Sequence, residues 1–211
     1  MDLELGVLGH RDVGKAAQLL ARAFALDPVI GYYLKPGWRR PFGFRAFFRA
    51  ALLEALPHGS VYAGRSRGEL VGVAAWLPPN LPTVHASARL KLSAATVRAL
   101  YPTTGSGLFA GFEGLAAQHP PEPHWYLMFV GIEPAAQRSG FGNQLLAPVL
   151  GRADAEHLIC YLETPFEQTI EFYRRLGFTV TSRSEPFAAP TPIWTMVRAP
   201  SANRQQPRDP P

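Results

Sequence analysis

A glycine-bearing segment between a strand-like run and a helical pattern constrains this chain more than any other feature of its sequence. Residues 125–132 are aromatic and β-branched, which is typical of a strand, and Glu133-Pro134 ends the run. Gly140 and Gly142 follow, and apolar residues then recur at helical spacing. Such a loop presents backbone N–H groups and the positive end of a helix dipole, which together hold phosphate. The segment predicts an anion site; an ordinary glycine turn without a ligand gives the same pattern.

Strand and helix patterns alternate through the rest of the chain. Apolar and β-branched runs bounded by Gly, Pro or polar residues predict strands, and apolar residues at helical spacing predict helices. The predicted strands cover 3–8, 60–65, 70–77, 125–132, 158–162, 178–181 and 193–198. The predicted helices cover about 13–26, 42–56, 86–100 and 108–118, with one more after the glycine segment and one between Pro165 and Gly177. The alternation predicts a mixed α/β domain built on a single sheet.

Four local signals add detail to this outline. Asp12 stands where a helix N-cap is expected, and Thr164 followed by Glu167 has the spacing of a capping box. Gly177 is expected to end the helix before it. Gly131, inside a strand pattern, predicts either a β-bulge or the close approach of another group to the backbone.

Length and composition indicate one folded domain. The chain has 211 residues, 47% of them hydrophobic and 18% charged, which excludes a disordered chain. We expect a single domain over 1–198 and a disordered, Pro-rich tail over 199–211. No apolar run is long enough to span a membrane, and the N-terminus lacks the pattern of a signal peptide. With one cysteine, Cys160, no internal disulfide is available, so we expect a cytoplasmic protein.

Charge and motif spacing limit the kinds of ligand and site that the sequence supports. The net charge of +5 suits an anionic ligand, and it favours nucleic-acid binding less because only the stretch from Lys35 to Arg49 is locally basic. No P-loop, nucleophile elbow or zinc-ligand spacing occurs, so we expect no metal. The G-x-G-x-x-A match at 105–110 follows a helical stretch, not the strand that dinucleotide binding requires. Cys160 lies within an apolar strand, which is typical of an inert buried thiol.

Two segments resemble the GNAT N-acetyltransferase superfamily. The run 130–134 followed by 137–142 is similar to its acyl-CoA signature, [Q/R]-x-x-G-x-[G/A], and 172–178 is similar to its helix-to-strand segment. The runs 121–127, 162–164 and 194–196 resemble the puromycin N-acetyltransferase branch, and the similarity extends from about His119 to Arg198. Phe166 and Thr169 stand where many members have an asparagine, and Arg138 where glycine is common.

The resemblance implies a fold, a co-substrate and a set of binding residues. The implied fold is α/β, a single mixed, mostly antiparallel twisted sheet of about seven strands flanked by helices. The co-substrate is acetyl-CoA, with its thioester and pantetheine on the backbone of one strand and its pyrophosphate on the amides of the glycine segment. The corresponding residues are Val130, Gly131 and Ile132 on the strand, and Arg138, Ser139, Gly140, Phe141, Gly142 and Asn143 in the segment.

Two catalytic residues follow from the same resemblance. Tyr173 matches the tyrosine that protonates the departing thiolate, although core packing along its helix would also explain it. Glu163, at a strand end beside the expected thioester site, is the candidate general base; a water relay or no dedicated base remains open. The reserve candidates for the base are Glu113, Glu122 and His124.

These residues predict an N-acetyltransferase that moves an acetyl group from acetyl-CoA to a small-molecule amine by direct transfer, with an antibiotic-type amine as one candidate. The alternative is a non-catalytic acyl-CoA-binding sensor of the same fold, and nucleic-acid binding ranks below both. We expect a monomer or homodimer without membrane or nucleic-acid partners. Aromatic residues of the early helices, among them Phe44, Phe47 and Phe48, suit a ring-bearing amine, but their helical spacing favours core packing.

Overall fold

A computed structural model describes residues 3–34, 36–79, 111, 114–187 and 189–201 of the chain. Its helices pack on both faces of one sheet of seven strands. The helices in the described ranges are α1 (Val13–Ala23), α2 (Pro28–Tyr33), α3 (Arg40–Ala55), α4 (Phe141–Ala155) and α5 (Glu167–Arg175). Short 3₁₀ turns precede α1 at His10–Asp12, follow α3 at Leu56–His58 and follow the fourth strand at Pro134–Ala136.

The sheet has the strand order β1-β2-β3-β4-β5-β7-β6. Its strands are β1 (Glu4–Val7), β2 (Val61–Ser66), β3 (Glu69–Leu77), β4 (His124–Ile132), β5 (Ile159–Thr164), β6 (Thr179–Ser184) and β7 (Ile193–Arg198). Neighbouring strands are antiparallel except β4 and β5, which are parallel. The predicted α/β fold with about seven strands in one mixed, mostly antiparallel sheet is therefore confirmed.

The central strand β3 shows why the sheet needs a layer of helices on each face. Its residues 72–77 are buried without alternation, as in a strand that is covered on both sides. Val73 and Ala75 pack into a core with α1, α2 and α3, whereas Ala74 and Trp76 pack into a second core with α4 and α5. The sheet thus separates two hydrophobic cores.

One arginine connects both helices of the second core to the last strand. Arg198, at the end of β7, is 7% exposed, and its Nη1 and Nη2 donate to the two Asp154 carboxylate oxygens of α4 at 2.8 Å each. Its Nε donates to the carbonyl of Leu176, directly after α5, at 2.9 Å. The Ser201 amide also donates to Asp154, at 2.7 Å. The other residues of the predicted disordered tail, 202–211, lie outside the described residues.

Two predicted helix caps are wrong. Asp12 does not cap α1, because its carboxylate accepts a hydrogen bond from Arg65 of β2 at 2.6 Å. Thr164 remains within β5, and α5 begins later, at Glu167, without a side-chain cap. The Thr164 hydroxyl accepts from the Phe166 amide at 3.2 Å, so it orders the turn before the helix. Gly177, with φ 92°, ends α5 as predicted.

Other predicted elements agree in part with the structure. The hairpin over 60–77 and the helix over 42–56 are present. The predicted first helix stops at Ala23, and Asp27 begins the separate helix α2 by accepting the Ile30 amide at 2.7 Å. The predicted helix over 86–100 lies outside the described residues, and the one over 108–118 is described only at 111 and from 114 onward. Within the described ranges, no helix is both long and apolar enough to cross a membrane.

The prediction of a bulge at Gly131 is wrong, whereas close approach to its backbone is correct. Gly131 pairs regularly with Val73, and the register of β3 and β4 shifts instead where Met128 is the extra residue. At Gly131 the helix α1 lies against the strand: an added Cβ would be 2.7 Å from Leu20 Cδ2 and 3.1 Å from Ala23 Cβ. Glycine is therefore needed here for helix–sheet packing.

We expect Gly131→Ala to lower the free energy of unfolding by about 1–3 kcal/mol, because the new methyl group overpacks the contact with α1. Urea denaturation of the variant and the wild type measures this loss. Gly6→Ala is the matched control, since a Cβ at Gly6 in β1 meets nothing within 4 Å. Equal stability of the two variants would contradict the packing role of Gly131.

Candidate functional site

The parallel pairing of β4 and β5 stops partway along both strands. It runs from the pair His124–Ile159 to the pair Leu127–Leu162. Beyond that point β4 continues through Met128 to Ile132, but β5 adds only Glu163 and Thr164. The strands therefore separate and open a cleft of about 180 Å³ between them. Residues of both strands line it, and so do residues of α1, of α5 and of the loop after β4.

The cleft contains the residues predicted to bind a thioester. Val130, Gly131 and Ile132 form its β4 wall. Gln137 also lines it, and its side-chain amide donates to the Ile132 carbonyl at 3.3 Å, which ties the glycine segment to the end of β4. Val130 and Ile132 have no β5 partner, so the backbone groups that they turn to that side are available to a ligand, except the Ile132 carbonyl that Gln137 occupies. The backbone of Gly131 faces β3 instead, where it pairs with Val73.

The glycine segment turns sharply into α4. Gly140 is left-handed, with φ 79°, and it stands at the N-cap of α4 without a side-chain cap. Within the described structure, no protein group accepts a hydrogen bond from an amide of residues 138–143, and the first helical bond is from Gln144 to the Gly140 carbonyl at 3.4 Å. These amides at a helix N-terminus can therefore bind an anion.

Side chains around this segment explain two of its residues. Arg138 adopts φ 62°, which accounts for the frequency of glycine at that position in the resembling family. A Cβ at Gly142 would lie 3.1 Å from Phe172 Cζ, so the glycine lets α4 approach α5. Ser139, Gly140 and Asn143 are exposed, so this part of the segment is open to solvent.

Tyr173 lies in the wall of the same cleft. It is 8% exposed and packs with Phe178, at a ring-centroid distance of 5.9 Å, in the core below α4 and α5. Burial raises its pKa well above the ordinary 10.0, so the phenol holds its proton throughout the physiological range. Tyr173 therefore combines the predicted core packing with a position from which a phenol can reach the cleft.

Glu163 is a buried carboxylate at the point where the strands separate. Its side chain is 7% exposed, and His119 Nε2 lies 3.2 Å from Oε1. The imidazole does not align with that oxygen as a hydrogen-bond donor, and among the described residues Oε1 has no hydrogen-bond partner. The contact with His119 is thus electrostatic, and a buried carboxylate oxygen remains available to a donor.

A histidine pair fixes the orientation of His119. His124 Nδ1 lies 2.7 Å from the Glu122 carbonyl, which can only accept, so the hydrogen-bond network assigns the proton to Nδ1. His124 Nε2 then accepts from His119 Nδ1 at 3.0 Å. The remaining nitrogen, His119 Nε2, faces Glu163 Oε1. Burial lowers the pKa of His124, which favours its neutral form as the acceptor.

Two tyrosines complete the surroundings of Glu163. Tyr126 and Tyr161 pair across β4 and β5, and the His119 ring lies 4.6 and 4.5 Å from theirs. Burial, and then the negative charge of Glu163, raises the pKa of both phenols. Both therefore remain neutral beside the carboxylate.

A second space, of about 110 Å³, opens on the α1–α3 face of the sheet and meets the cleft. It lies between α2, α3, the separated strands and the start of β7. Phe47 lines it, although the same side chain is 2% exposed and packs in the core, as its helical spacing predicted. The residues that line both spaces are Phe24, Met128, Phe129 and Glu163.

The remaining candidates lie away from this junction or are inert. Cys160 faces the opposite core, and burial raises its pKa to about 12, as expected of an inert thiol. Of the reserve bases, Glu122 and His124 surround a separate outer pocket beside His119, and Glu113 lies outside the described residues. Sequence reasoning missed His119, because its contact with Glu163 joins residues remote in the sequence. It missed the role of Asp27 because the burial that raises the pKa of this residue depends on the folded structure.

A family comparison agrees with this geometry. The model of the "Acetyltransferase (GNAT) family" matches residues 30–178, well over half of the chain. The chain belongs to the GNAT acetyltransferase family. The match includes β4, the glycine segment, β5 and α5, and therefore the elements that form the cleft except α1.

Solved structures share the GNAT fold over nearly the whole chain. A Corynebacterium glutamicum structure described as histone acetyltransferase HPA2 and related acetyltransferase has a TM-score of 0.74 and 24% identity, covering 97% of this chain and 100% of its own. A Drosophila melanogaster polyamine N-acetyltransferase that forms N-acetylagmatine has a TM-score of 0.63 and 13% identity, covering 94% and 100%. A Thermoplasma acidophilum PaiA N-acetyltransferase in complex with coenzyme A has a TM-score of 0.58 and 10% identity, covering 94% and 99%. Relatives of this fold thus bind coenzyme A and acetylate small amines.

Asp27 gives this region a testable pH dependence. Burial raises the pKa of Asp27 from an ordinary 3.8 to about 6. Hydrogen bonds from backbone amides of α2 lower the pKa, but by less than burial raises it. The folded protein therefore favours the protonated acid, so this contribution to stability is complete below pH 4 and is lost as the pH rises through 6. A pKa difference of about two corresponds to about 3 kcal/mol.

We expect Asp27→Asn to remove that loss between pH 4 and pH 7, because asparagine retains the helix cap without the buried charge. The urea midpoint measured at intervals across this range gives the slope for each protein. Glu69→Gln, which removes one exposed carboxylate at the start of β3, is the control. An unchanged slope in Asp27→Asn would contradict the assignment.

Proposed function

We propose that this GNAT protein transfers an acetyl group from acetyl-CoA to the amine of a small molecule by direct transfer. The observation that carries the proposal is the junction of the two spaces at Glu163: the cleft between β4 and β5 enters from one face of the sheet, and the second cavity from the other. Donor and acceptor can therefore meet only where the strands separate. A single-substrate binding protein has no need of a second cavity that opens at this point.

The residues of the cleft suit coenzyme A. Free amides of residues 138–143 at the start of α4 suit its pyrophosphate, and the glycines leave the backbone open to phosphate oxygens. On the β4 wall formed by Val130, Gly131 and Ile132, the unpaired groups of Val130 and the Ile132 amide suit the pantetheine amides. The thioester of acetyl-CoA supplies the acetyl group. The bulge at Met128 places irregular backbone at the junction, where N–H groups can stabilise negative charge on the carbonyl oxygen.

Two side chains act on protons in this proposal. Glu163 accepts a proton from the acceptor amine through its unpartnered carboxylate oxygen, and His119 holds the carboxylate in place. Tyr173 donates its proton to the departing thiolate, and burial ensures that the phenol is protonated before the step. The two groups come from opposite faces of the sheet, and both line the cleft.

The proposal extends to the branch of the family and to the class of acceptor. The similarity to the puromycin N-acetyltransferase branch and an antibiotic-type amine as acceptor are compatible with a cavity that accepts a ring-bearing amine. We propose further that residues 1–198 form one catalytic domain, that the tail contributes nothing to the site, and that the protein works in the cytoplasm as a monomer or homodimer.

Thiol release from acetyl-CoA, measured across a panel of primary amines, tests the activity. We expect Tyr173→Phe and Glu163→Gln each to lower kcat by about 10²–10⁴, the contribution of a positioned acid or base, with coenzyme A affinity retained. Tyr62→Phe in β2 and Glu171→Gln on α5 are the matched controls, and they leave kcat unchanged because neither residue lines either space. Coenzyme A binding without thiol release for any amine would favour the sensor and contradict the enzyme.

A second experiment tests the anion site. We expect Gly140→Ala to weaken coenzyme A binding about tenfold or more, the equivalent of one charge-assisted hydrogen bond, because the strained turn no longer aims its amides at the pyrophosphate. Gly59→Ala is the control: Gly59 also has a positive φ, 64°, with nothing within 4 Å of an added Cβ, and it lies after α3. Calorimetry measures both affinities. An equal loss for the two variants would show a general effect of destabilisation.

A further inference from the structure

The second cavity is apolar apart from a few groups, and its lining determines what it can take. Eleven of the fourteen described residues that line it are apolar. Aromatic side chains from the end of α1, from α3 and β4 and from the segment before β7 contribute, namely Phe24 directly after α1, Phe47, Phe129 and Phe187. Its polar lining residues in the described ranges are Asp27, Tyr126 and Glu163. Such a space favours a ligand with a large apolar surface.

Only one of the two carboxylates is available to a cation. Asp27 is 4% exposed, and it accepts from the Ile30 amide at 2.7 Å as the cap of α2. Its oxygen is thus engaged by the backbone of α2, and burial raises its pKa, which favours the neutral acid. Glu163 differs, because its buried Oε1 has no hydrogen-bond partner among the described residues and lies where the cavity meets the cleft. A buried carboxylate oxygen of this kind is stabilised by an N–H donor from a ligand.

The cavity wall away from Glu163 determines which groups the rest of the ligand can carry. Toward α3 the wall is formed by Phe47 and Ala51, and toward β7 by Phe187 and Ile193. A second ammonium group placed there would lose its water without a partner, which is strongly unfavourable. An alkyl chain or an aromatic ring would instead gain hydrophobic contact with the same side chains.

We propose that the acceptor is a hydrophobic monoamine: one primary amino group at Glu163, carried on an aliphatic or aromatic body that fills the apolar cavity. This inference rests on the proposed acetyl transfer and names its acceptor class. Diamines and guanidino-amines, which carry a second cation, are poor acceptors.

Matched amines test the proposal on the wild-type protein. n-Hexylamine and 1,5-diaminopentane have the same number of heavy atoms and differ at the far end, a methyl group against an ammonium. We expect kcat/KM from thiol release to be at least about 100-fold higher for n-hexylamine, and 2-phenylethylamine to exceed agmatine by a similar factor. Equal or better turnover of the dicationic amines would overturn the acceptor class and leave the transferase proposal intact.

A pair of variants on α3 assigns the preference to this cavity. Phe47 and Phe44 are each 2% exposed, but Phe47 lines the cavity and Phe44 does not. We expect Phe47→Leu to lower kcat/KM for 2-phenylethylamine about 3–10-fold, and Phe44→Leu to change it less than twofold. Thermal unfolding confirms that both variants are folded, and the wild-type amine series remains decisive if either is not. An equal effect of the two variants would place the amine elsewhere.

Direct binding separates the two proposals. Calorimetric titration of the coenzyme A-loaded protein with n-hexylamine and with 1,5-diaminopentane needs no turnover. Selective binding of n-hexylamine without thiol release would contradict the transferase and support the cavity's preference for a hydrophobic monoamine. Binding of 1,5-diaminopentane alone would overturn that preference, whatever the activity.

Discussion

The site depends on the point at which two parallel strands stop pairing. β4 and β5 are joined up to Leu127 and Leu162 and then separate, which leaves backbone groups of both strands without a sheet partner. Such groups normally must be satisfied within the fold. Here they border a cleft instead, and the surrounding structure maintains the separation: α1 packs on Gly131 from one face, and α4 and α5 cover the other. The cleft is therefore an opening within the sheet, with a separate core on each side.

The sequence predicted the parts of this arrangement that arise from neighbouring residues. Apolar and β-branched runs predicted all seven strands, and the glycines at 140 and 142 predicted the turn into α4. Gly131 was recognised as a special position, but whether it served a bulge or a close contact depended on α1, which is remote in the sequence. The bulge at Met128 arises from the pairing of two strands more than fifty residues apart, and no local pattern marks it.

The candidate site was predictable to the same extent. Tyr173 and Glu163 were found because they stand in recognisable runs, and the structure brings both to one cleft. His119 was missed because its importance comes from two contacts, with His124 and Glu163, that exist only after folding. The predicted helix caps were wrong for a related reason. Asp12 has a suitable side chain, but it accepts a hydrogen bond from Arg65 of β2. Thr164 is part of β5 and accepts from the Phe166 amide before the helix begins.

The buried Arg198 has a mechanical consequence for the two helices that border the cleft. By bonding to Asp154 and to the Leu176 carbonyl, one guanidinium fixes α4 and α5 at their C-terminal ends, far along both helices from the cleft. At the opposite end of α5, the Thr164 and Thr169 hydroxyls hold its first turn to the end of β5 at 2.9 Å. The first turn of α4 has no side-chain cap, and its first helical bond is the 3.4 Å bond from Gln144 to the Gly140 carbonyl. The final strand, remote from the cleft in sequence, thus sets where both helices end, and the glycine turn at the start of α4 is the part of this pair that its guanidinium does not hold.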